Sequence, residues 1–251
     1  MKENTLVIII DFDNFFRKLI FDYNEKEFEY ELKQLVDDVL KNQNTDDLDN
    51  ILIRLYSGWY QNEKLTKKAS VLFQKIATID IFPIKISHKL INGKVSVATS
   101  LHLLPDFTWT NTYHEKNGLS RIRINRELIS EKCNNNKQNC PIFILHNFTK
   151  KKTKFCSVEG CSYRQNDVFS SMVQKMVDTI IACDYIAYCE NESVNSIFLV
   201  SDDIDHIPAL VQGSLKLKSH KQLFVGIRNQ LKLDYYHNIL TNFDINTILL
   251  S

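Results

Sequence analysis

Acidic residues follow two apolar runs of this sequence, at the points where two strands of a sheet would end. Asp11-Phe12-Asp13-Asn14 comes directly after the apolar run 6–10, and Ser201-Asp202-Asp203-Ile204-Asp205 comes directly after the run 197–200. In open parallel sheets, ligands bind beyond the carboxyl ends of the strands, where both acidic segments would lie. A third acid, Asp178, stands in a long stretch with helical periodicity.

Carboxylates that lie close together repel each other electrostatically. Two carboxylates about 4 Å apart repel by about 4 kcal/mol at an effective dielectric constant of about 20. A divalent cation, a shared proton or a basic group must therefore offset the repulsion. Hard oxygen ligands select Mg²⁺ or Mn²⁺. The sequence accordingly predicts a metal site.

The elements that would position these acids follow from the apolar pattern. Nearly continuous apolar runs, typical of strands covered on both faces, predict strands at 6–10, 51–56, 81–86, 197–200 and 223–227. Helical periodicity predicts helices at 27–40, 64–76, 168–188 and 208–218. This alternation predicts an α/β fold, with a mainly parallel sheet flanked by helices and its last strands lying beside the first.

The middle of the chain, 87–166, does not follow this alternation, and we interpret it as an insertion or subdomain within a single domain spanning 1–251. It contains four cysteines, separated by six, fifteen and four residues, with His146 between the two pairs. A structural Zn²⁺ could stabilise such a polar segment, whereas reduced, mostly structural thiols remain the alternative. The candidate zinc ligands are Cys133, Cys140, Cys156 and Cys161.

Basic residues are concentrated in the same region. The segment 116–154 has ten Lys and Arg against two acids, a local charge of +8 in a chain whose formal net charge is +1. The alternative is a solvated loop surface. Beside an acidic metal site, however, a polyanion must be attracted by other groups, which favours contact with a phosphate backbone. The candidate nucleic-acid-binding residues are Arg121, Arg123, Arg126, Lys150, Lys151, Lys152 and Lys154.

Composition restricts the class of protein. With 251 residues, of which 44% are hydrophobic, the chain can bury the core of one large domain or two small ones. The apolar run near the start is too short for a signal peptide, and no run reaches the roughly 18 apolar residues of a membrane-spanning helix. We therefore expect a cytoplasmic protein without a membrane partner, whose six cysteines are reduced, buried or metal-bound.

Three segments together resemble the signature of the NYN domain, a branch of the PIN-like nucleases. They are 7–14, which ends in Asp-Phe-Asp-Asn, then Lys-Met-Val-Asp at 175–178, and 198–205, which contains Ser-Asp-Asp-Ile-Asp. The family shows a strand ending in Asp with Asn three residues on, a helix with Lys-x-x-Asp, and a strand followed by Ser-Gly-Asp-Ser-Asp. The resemblance covers about 1–80 and 165–250, and Asp202 replaces the family's Gly.

The resemblance implies a three-layer PIN-like, Rossmann-like fold and metal-assisted hydrolysis of phosphodiester bonds, leaving a 3′-hydroxyl and a 5′-phosphate. RNA is the implied substrate, with single-stranded DNA as the alternative. The implied metal ligands are Asp11, Asp178, Asp203 and Asp205, and the supporting candidates are Asp13, Asn14, Lys175, Asp184 and Ser201.

Some roles stay open at this point. Asp13 could cap a helix, and Ser201 could hydrogen-bond only to its own turn. Asp184 stands about 240° around a helix from Asp178, so both cannot point the same way unless the helix bends. His206 could be packed in the core or could contact substrate.

Two other functions fit parts of the pattern. Haloacid dehalogenase-like phosphatases also place Asp-x-Asp after the first strand, but Phe15 stands where those enzymes have Thr or Val. The Lys-x-x-Asp segment also has no role in that scheme. A nucleic-acid-binding protein that keeps the fold without turnover is the second alternative. The intact acidic set argues against it, whereas Asp202 and the large insertion leave it open.

Overall fold

The structure is a computed structural model that describes residues 4–16, 18–86, 88–119, 123–125, 127, 129–150, 155–156, 159–217 and 221–251, with only the backbone of Lys150. Contacts divide the chain into two compact units. The first unit comprises Met1–Tyr113 and Gln174–Ser251, and the second comprises His114–Val173. All three acidic segments belong to the first unit.

A parallel sheet forms the centre of the first unit. The strands of the described residues are β1 (Thr5–Asp11), β2 (Asn50–Tyr56), β3 (Tyr60–Gln61), β4 (Lys64–Leu65), β5 (Ile84–Ile86), β6 (Lys89–Val97), β7 (Tyr113–Asn117), β8 (Ser170–Gln174), β9 (Val194–Val200), β10 (Gln222–Ile227) and β11 (Ile245–Leu249). Seven of these strands form one sheet in the order β11-β10-β9-β1-β2-β6-β5. Every neighbouring pair is parallel except β5 with β6, which confirms the predicted α/β class with a mostly parallel sheet.

Four of the five predicted strands agree closely with the structure, and the fifth is shorter than predicted. The strand expected over 81–86 begins only at Ile84. Pro83 precedes it and cannot donate a backbone hydrogen bond to a sheet. The strands β6 and β11 were not predicted, because β6 carries Gly93 and four polar residues and β11 has only five residues.

Helices alternate with the strands along the chain. In chain order the helices of the described residues are α1 (Phe12–Phe15), α2 (Glu25–Leu40), α3 (Lys67–Thr78), α4 (Glu131–Asn135), α5 (Pro141–Lys150), α6 (Gln165–Val168), α7 (Val177–Glu190), α8 (Ile207–Ser214) and α9 (Gln230–Leu240). A capping box begins α2, where Asn24 and Glu27 each accept a hydrogen bond from the other's backbone N–H. None of the helices in the described residues is long and apolar enough to cross a membrane.

The helix predicted over 168–188 is wrong in its first half. Residues Ser170–Gln174 form β8, whose side chains alternate in burial as in a half-buried strand. Met176 then adopts a left-handed backbone conformation, with φ of 66°, and α7 begins at Val177. Lys175 therefore lies before the helix, so it does not share a helical face with Asp178 as it would in a helix over 168–188.

The continuous apolar run of β1 explains the three layers. Leu6, Ile8 and Ile10 pack with residues of α2 and α3 on one face, whereas Val7 and Ile9 pack with residues of α7, α8 and α9 on the other. All five side chains are fully buried. Full burial of each such side chain contributes about 1.5–3 kcal/mol relative to exposure, so β1 anchors both layers.

The strand order creates one switch point at the sheet's centre. Numbered along the chain, the parallel strands β1, β2, β6, β9, β10 and β11 have the spatial order 3-2-1-4-5-6 of doubly wound sheets. The chain thus winds outward in one direction from β1 and in the other from β9. Ligands bind in the crevice beyond the carboxyl ends of the strands at such a point. In this chain, Asp11 and Ser201 stand at those two strand ends.

The second unit is the smaller of the two, and its described residues include the helices α4, α5 and α6. The strands β7 and β8 form a two-stranded sheet, and Phe155 and Arg164 form an isolated antiparallel bridge. The unit begins at His114, later than the predicted start of the insertion at 87, because β6 joins the main sheet. Its end at Val173 lies beyond the predicted boundary at 166.

Candidate metal centre

Three side chains meet at the switch point of the sheet. Asp11 is the last residue of β1, Asp178 lies in the first turn of α7, and His206 ends a short 3₁₀ turn after β9. One potential ligand atom from each of the three lies within 4.8 Å of the others. Asp11 and His206 are buried, and Asp178 is exposed. Asp11 and His206 therefore form the buried side of the cluster, and Asp178 forms the side that is open to solvent.

Asp11 is held firmly by its neighbours. Its Oδ2 atom accepts hydrogen bonds from Asn14 Nδ2 at 2.5 Å and from Ser201 Oγ at 3.0 Å. The Nε2 atom of His206 lies 3.5 Å from the same oxygen. Because the Asp11 side chain is only 4% exposed, these contacts fix its orientation without competition from water. The structure thus places the two predicted supporting residues Asn14 and Ser201 against Asp11.

The segment after β9 forms a turn, and its predicted ligands Asp203 and Asp205 are not part of the close group of three side chains. Asp203 Oδ1 accepts a hydrogen bond from Asp205 N at 3.0 Å, and Asp203 N donates to Ser201 Oγ at 3.1 Å. This turn brings His206 into the buried position beside Asp11. Asp203 and Asp205 remain accessible, and both act electrostatically on Asp178.

Asp202, which replaces the family's Gly, has a structural task. Its Oδ1 atom accepts hydrogen bonds from the backbone N–H groups of Arg228 at 2.9 Å and Asn229 at 3.1 Å. Lys232 Nζ donates to the Asp202 carbonyl oxygen at 2.6 Å. These bonds join the end of β9 to the start of α9, so Asp202 stabilises the loop and its carboxylate is already occupied.

Among the described residues, His206 is the only basic side chain within ion-pair distance of the carboxylates of the centre. Partial burial raises the pKa of Asp178, and the Asp11, Asp203 and Asp205 carboxylates raise it further against the opposing effect of His206. Among the described residues, no Lys or Arg forms an ion pair with any of these four carboxylates. The cluster is therefore prepared for an added cation.

A tyrosine hydroxyl lies close to this charge. Burial raises the pKa of Tyr236, and the carboxylates of Asp203, Asp202, Asp11 and Asp205 raise it further. Within the described part of the chain, the buried Tyr236 hydroxyl has no hydrogen-bond partner. Nothing in the sequence indicated this residue, because its position on α9 gives no sign of which strand end it approaches.

The raised pKa of Asp178 predicts how stability depends on pH. We expect Asp178→Asn to be more stable than the wild type without metal at pH 7, because the charged carboxylate is disfavoured in the fold. Since the folded pKa lies above the usual 3.8, the wild type recovers this stability as pH falls, fully so below about 3.8. Thermal midpoints in EDTA at pH 7 and pH 4 test this. An advantage of the Asn variant that does not shrink at pH 4 would contradict it.

Asp184 lies in a separate buried network. Its Oδ2 atom is 3.1 Å from an Arg54 guanidinium nitrogen and accepts a hydrogen bond from Tyr56 OH at 2.7 Å. Its Oδ1 atom accepts one from the backbone N–H of His102 at 2.6 Å. None of its contacts involves the acidic cluster. This agrees with the angular argument that Asp178 and Asp184 point in different directions.

Asp13 also pairs with other residues. Lys68 Nζ lies 2.8 Å from Asp13 Oδ1, and Ser57 Oγ donates to Asp13 Oδ2 at 2.5 Å. Gln174 Nε2 donates to the same oxygen. Asp13 therefore caps no helix and joins β2, α3 and the end of β8. Lys175 is exposed, and its backbone N–H donates to the Thr112 carbonyl oxygen at 3.0 Å.

The cysteines do not assemble as a set of four. The backbone N–H of Phe143 at the start of α5 lowers the pKa of Cys140, and the Cys133 thiol lowers it further. Cys156 and Cys161 are also free thiols. Among the described residues, the acidic cluster is the only group of three or more His, Cys, Asp or Glu side chains with ligand atoms this close. The zinc site therefore stays a prediction that the described geometry does not support.

Few of the predicted basic residues can be placed. Arg123 is described and exposed, whereas only the backbone of Lys150 is described. The remaining candidates lie outside the described residues, and they are Arg121, Arg126, Lys151, Lys152 and Lys154. Their contribution therefore rests on sequence charge alone.

The sequence did not predict that His206 belongs to the centre. His206 directly follows Asp205, which was its only signal, and its inward direction depends on the 3₁₀ turn that Asp203 caps. The chain matches no protein-family model, no curated protein and no solved structure. The resemblance to the NYN domain accordingly rests on the three motifs.

Proposed function

We propose that this protein is a metal-dependent nuclease of the NYN and PIN-like type that hydrolyses phosphodiester bonds in RNA. The observation that carries the proposal is the group formed by Asp11, Asp178 and His206 at the switch point. Metal–ligand bonds of about 2.0–2.2 Å place atoms that share one ion within about 4.4 Å of each other. The ligand atoms of this group, all within 4.8 Å, are close to that spacing.

The ligand chemistry favours one ion of the two expected. Carboxylate oxygens suit both Mg²⁺ and Mn²⁺, but an imidazole nitrogen is a poor ligand for Mg²⁺. With His206 in the set, we infer that Mn²⁺ binds more tightly than Mg²⁺. The bound ion would lower the pKa of a water molecule and offset charge that develops on the phosphoryl oxygens.

The residues of the chain have distinct roles in this proposal. Asp11 is the fixed ligand, because the hydrogen bonds from Asn14 and Ser201 hold its carboxylate in one orientation. Asp178 is the solvent-facing ligand, and its position in the first turn of α7 also suits a negative charge. Asp203 and Asp205 remain accessible, so they can orient waters or substrate through acceptor oxygens.

We infer that nucleic acid is the substrate class, because basic residues are concentrated in the second unit whereas the acidic centre lies in the first unit. The second unit carries eleven Lys and Arg against five Asp and Glu, a net charge of +6 in a chain of net +1. An acidic centre repels a polyanion, so separate basic residues have to supply the attraction. RNA rather than DNA follows from the resemblance to the NYN family. A cytoplasmic location is supported by six free thiols.

The contacts of the first Asp-x-Asp segment weigh against a phosphatase. A nucleophilic carboxylate must reach substrate, but Asp11 is buried and its Oδ2 accepts two hydrogen bonds. The neighbouring Asp13, which would serve as the acid, is paired with Lys68. A binding protein without turnover is the remaining alternative, and an activity measurement separates it from the nuclease.

We expect cleavage of single-stranded RNA that is fastest with Mn²⁺, slower with Mg²⁺ and abolished by EDTA. Labelled single-stranded RNA, duplex RNA and single-stranded DNA are incubated under each condition, and the product ends are analysed for 3′-hydroxyl and 5′-phosphate. Asp178→Asn protein, purified in parallel, controls for contaminating nucleases. Cleavage that persists in EDTA, or none with either ion, would refute the proposal.

A further inference from the structure

An exposed aromatic ring in the second unit is covered on one side by an arginine. The Phe155 side chain is 52% exposed, and the Arg164 guanidinium carbon lies 4.6 Å from the centre of its ring. The two residues form an antiparallel bridge, and Cys156 N donates to the Tyr163 carbonyl oxygen at 2.9 Å beside it. Residues opposite each other in such a bridge point to the same side, which explains the stacking.

The pair is fixed by the backbone around it. Arg164 N donates a hydrogen bond to Asp167 Oδ2 at 2.8 Å, where α6 begins. Among the described residues, no carboxylate forms an ion pair with the Arg164 guanidinium, and no other aromatic ring packs on Phe155. The ring and the guanidinium therefore form a surface on which, within the described part of the chain, no carboxylate neutralises the positive charge.

The chemistry of this surface fits one kind of partner. Unpaired bases stack on aromatic rings and on guanidinium planes, and every base has a face that can do so. The net charge of +6 on the second unit complements a phosphate backbone. In a duplex the bases are already stacked on each other, so a duplex offers this surface only its backbone.

We propose that Phe155 and Arg164 form a stacking site for an unpaired base of a single-stranded nucleic acid. This proposal deepens the proposed function, on which it rests for the identity of the ligand as substrate. The proposal predicts a preference for single strands, which comes from stacking in the second unit. Cleavage itself is assigned to the acidic centre in the first unit.

Binding of an uncleaved oligonucleotide tests the site. The full-length protein in EDTA is titrated into a fluorescein-labelled single-stranded RNA of about twelve nucleotides, and anisotropy is measured. We expect Phe155→Ala to weaken binding roughly 5- to 150-fold, the range for loss of one stacked base. Phe155→Trp should retain binding. Tyr30→Ala, which removes a ring 66% exposed on α2 in the first unit, is the matched control and should leave the affinity unchanged.

Two further measurements separate stacking from charge. Phe155→Ala should leave the slope of log affinity against log salt unchanged, since it removes no phosphate contact. Its affinity for a duplex of the same sequence should also stay that of the wild type. An equal loss for duplex and single strand, or wild-type affinity for the single strand, would overturn the stacking site.

The experiments distinguish failure of the stacking site from failure of the nuclease proposal. If the wild type cleaves RNA and Phe155→Ala binds it as tightly as the wild type, only the stacking site fails. If nothing is cleaved but Phe155→Ala binds more weakly, the site is supported and the nuclease proposal fails. An unchanged thermal midpoint of Phe155→Ala would show that the weakened binding does not come from unfolding.

Discussion

Replacement of Asp11 by Asn is expected to abolish cleavage, with a loss in kcat/KM on the order of 10³-fold or more. The substitution removes the charge of the most firmly held ligand, so the centre binds its cation weakly and places it poorly. The folded state should persist, because Asn keeps the shape of Asp and can still accept the hydrogen bonds from Asn14 and Ser201.

The same substitution two residues further along provides the control. Asp13→Asn removes a carboxylate that pairs with Lys68 and lies outside the cluster of potential ligands. We expect its kcat/KM to fall by no more than about tenfold, the low end for residues around a metal site, because its contacts are with Ser57, Gln174 and Lys68 rather than with the cluster. Titration with Mn²⁺ should show a loss of affinity in Asp11→Asn alone. Equal activity in wild type and Asp11→Asn would exclude the proposed centre.

The parts of this fold that the sequence predicted depend on local patterns. The runs before Asp11 and Asp202 are continuous and apolar, which requires strands covered on both faces, and the acids at their ends follow directly. The strands β6 and β11 were missed because short or polar-rich strands carry a weak pattern. The interruption at Met176 was missed because a single left-handed residue leaves no mark on helical periodicity.

The candidate centre could be predicted only in part, because residue type does not reveal the partner. Asp178, Asp184 and Asp202 all stand in or beside the motifs, yet only Asp178 joins the cluster. Asp184 meets Arg54 from the other half of the chain, and Asp202 meets backbone groups at the start of α9. These contacts are set by packing between distant segments, which a spacing pattern does not contain.

Because Asp184 pairs with Arg54 instead of joining the cluster, its replacement is expected to change stability rather than cleavage. We expect Asp184→Asn to lower the free energy of unfolding by about 3–5 kcal/mol, because removing one partner of a buried ion pair leaves the other charge uncompensated. The Arg54 side chain is only 12% exposed, so water cannot replace the lost carboxylate. Tyr56 OH and His102 N would also lose a charged acceptor.

Thermal unfolding without metal measures this effect. For a chain of this size, about 2–4 °C per kcal/mol translates the loss into a midpoint lower by roughly 6–20 °C. Arg54→Met combined with Asp184→Leu removes both charges and should recover part of the stability, since apolar pairs often replace buried ion pairs without loss. At a temperature where Asp184→Asn is still folded, it should keep cleaving RNA. A variant that unfolds at the wild-type temperature but has lost cleavage would instead place Asp184 in the reaction, as the resemblance to the NYN family implied.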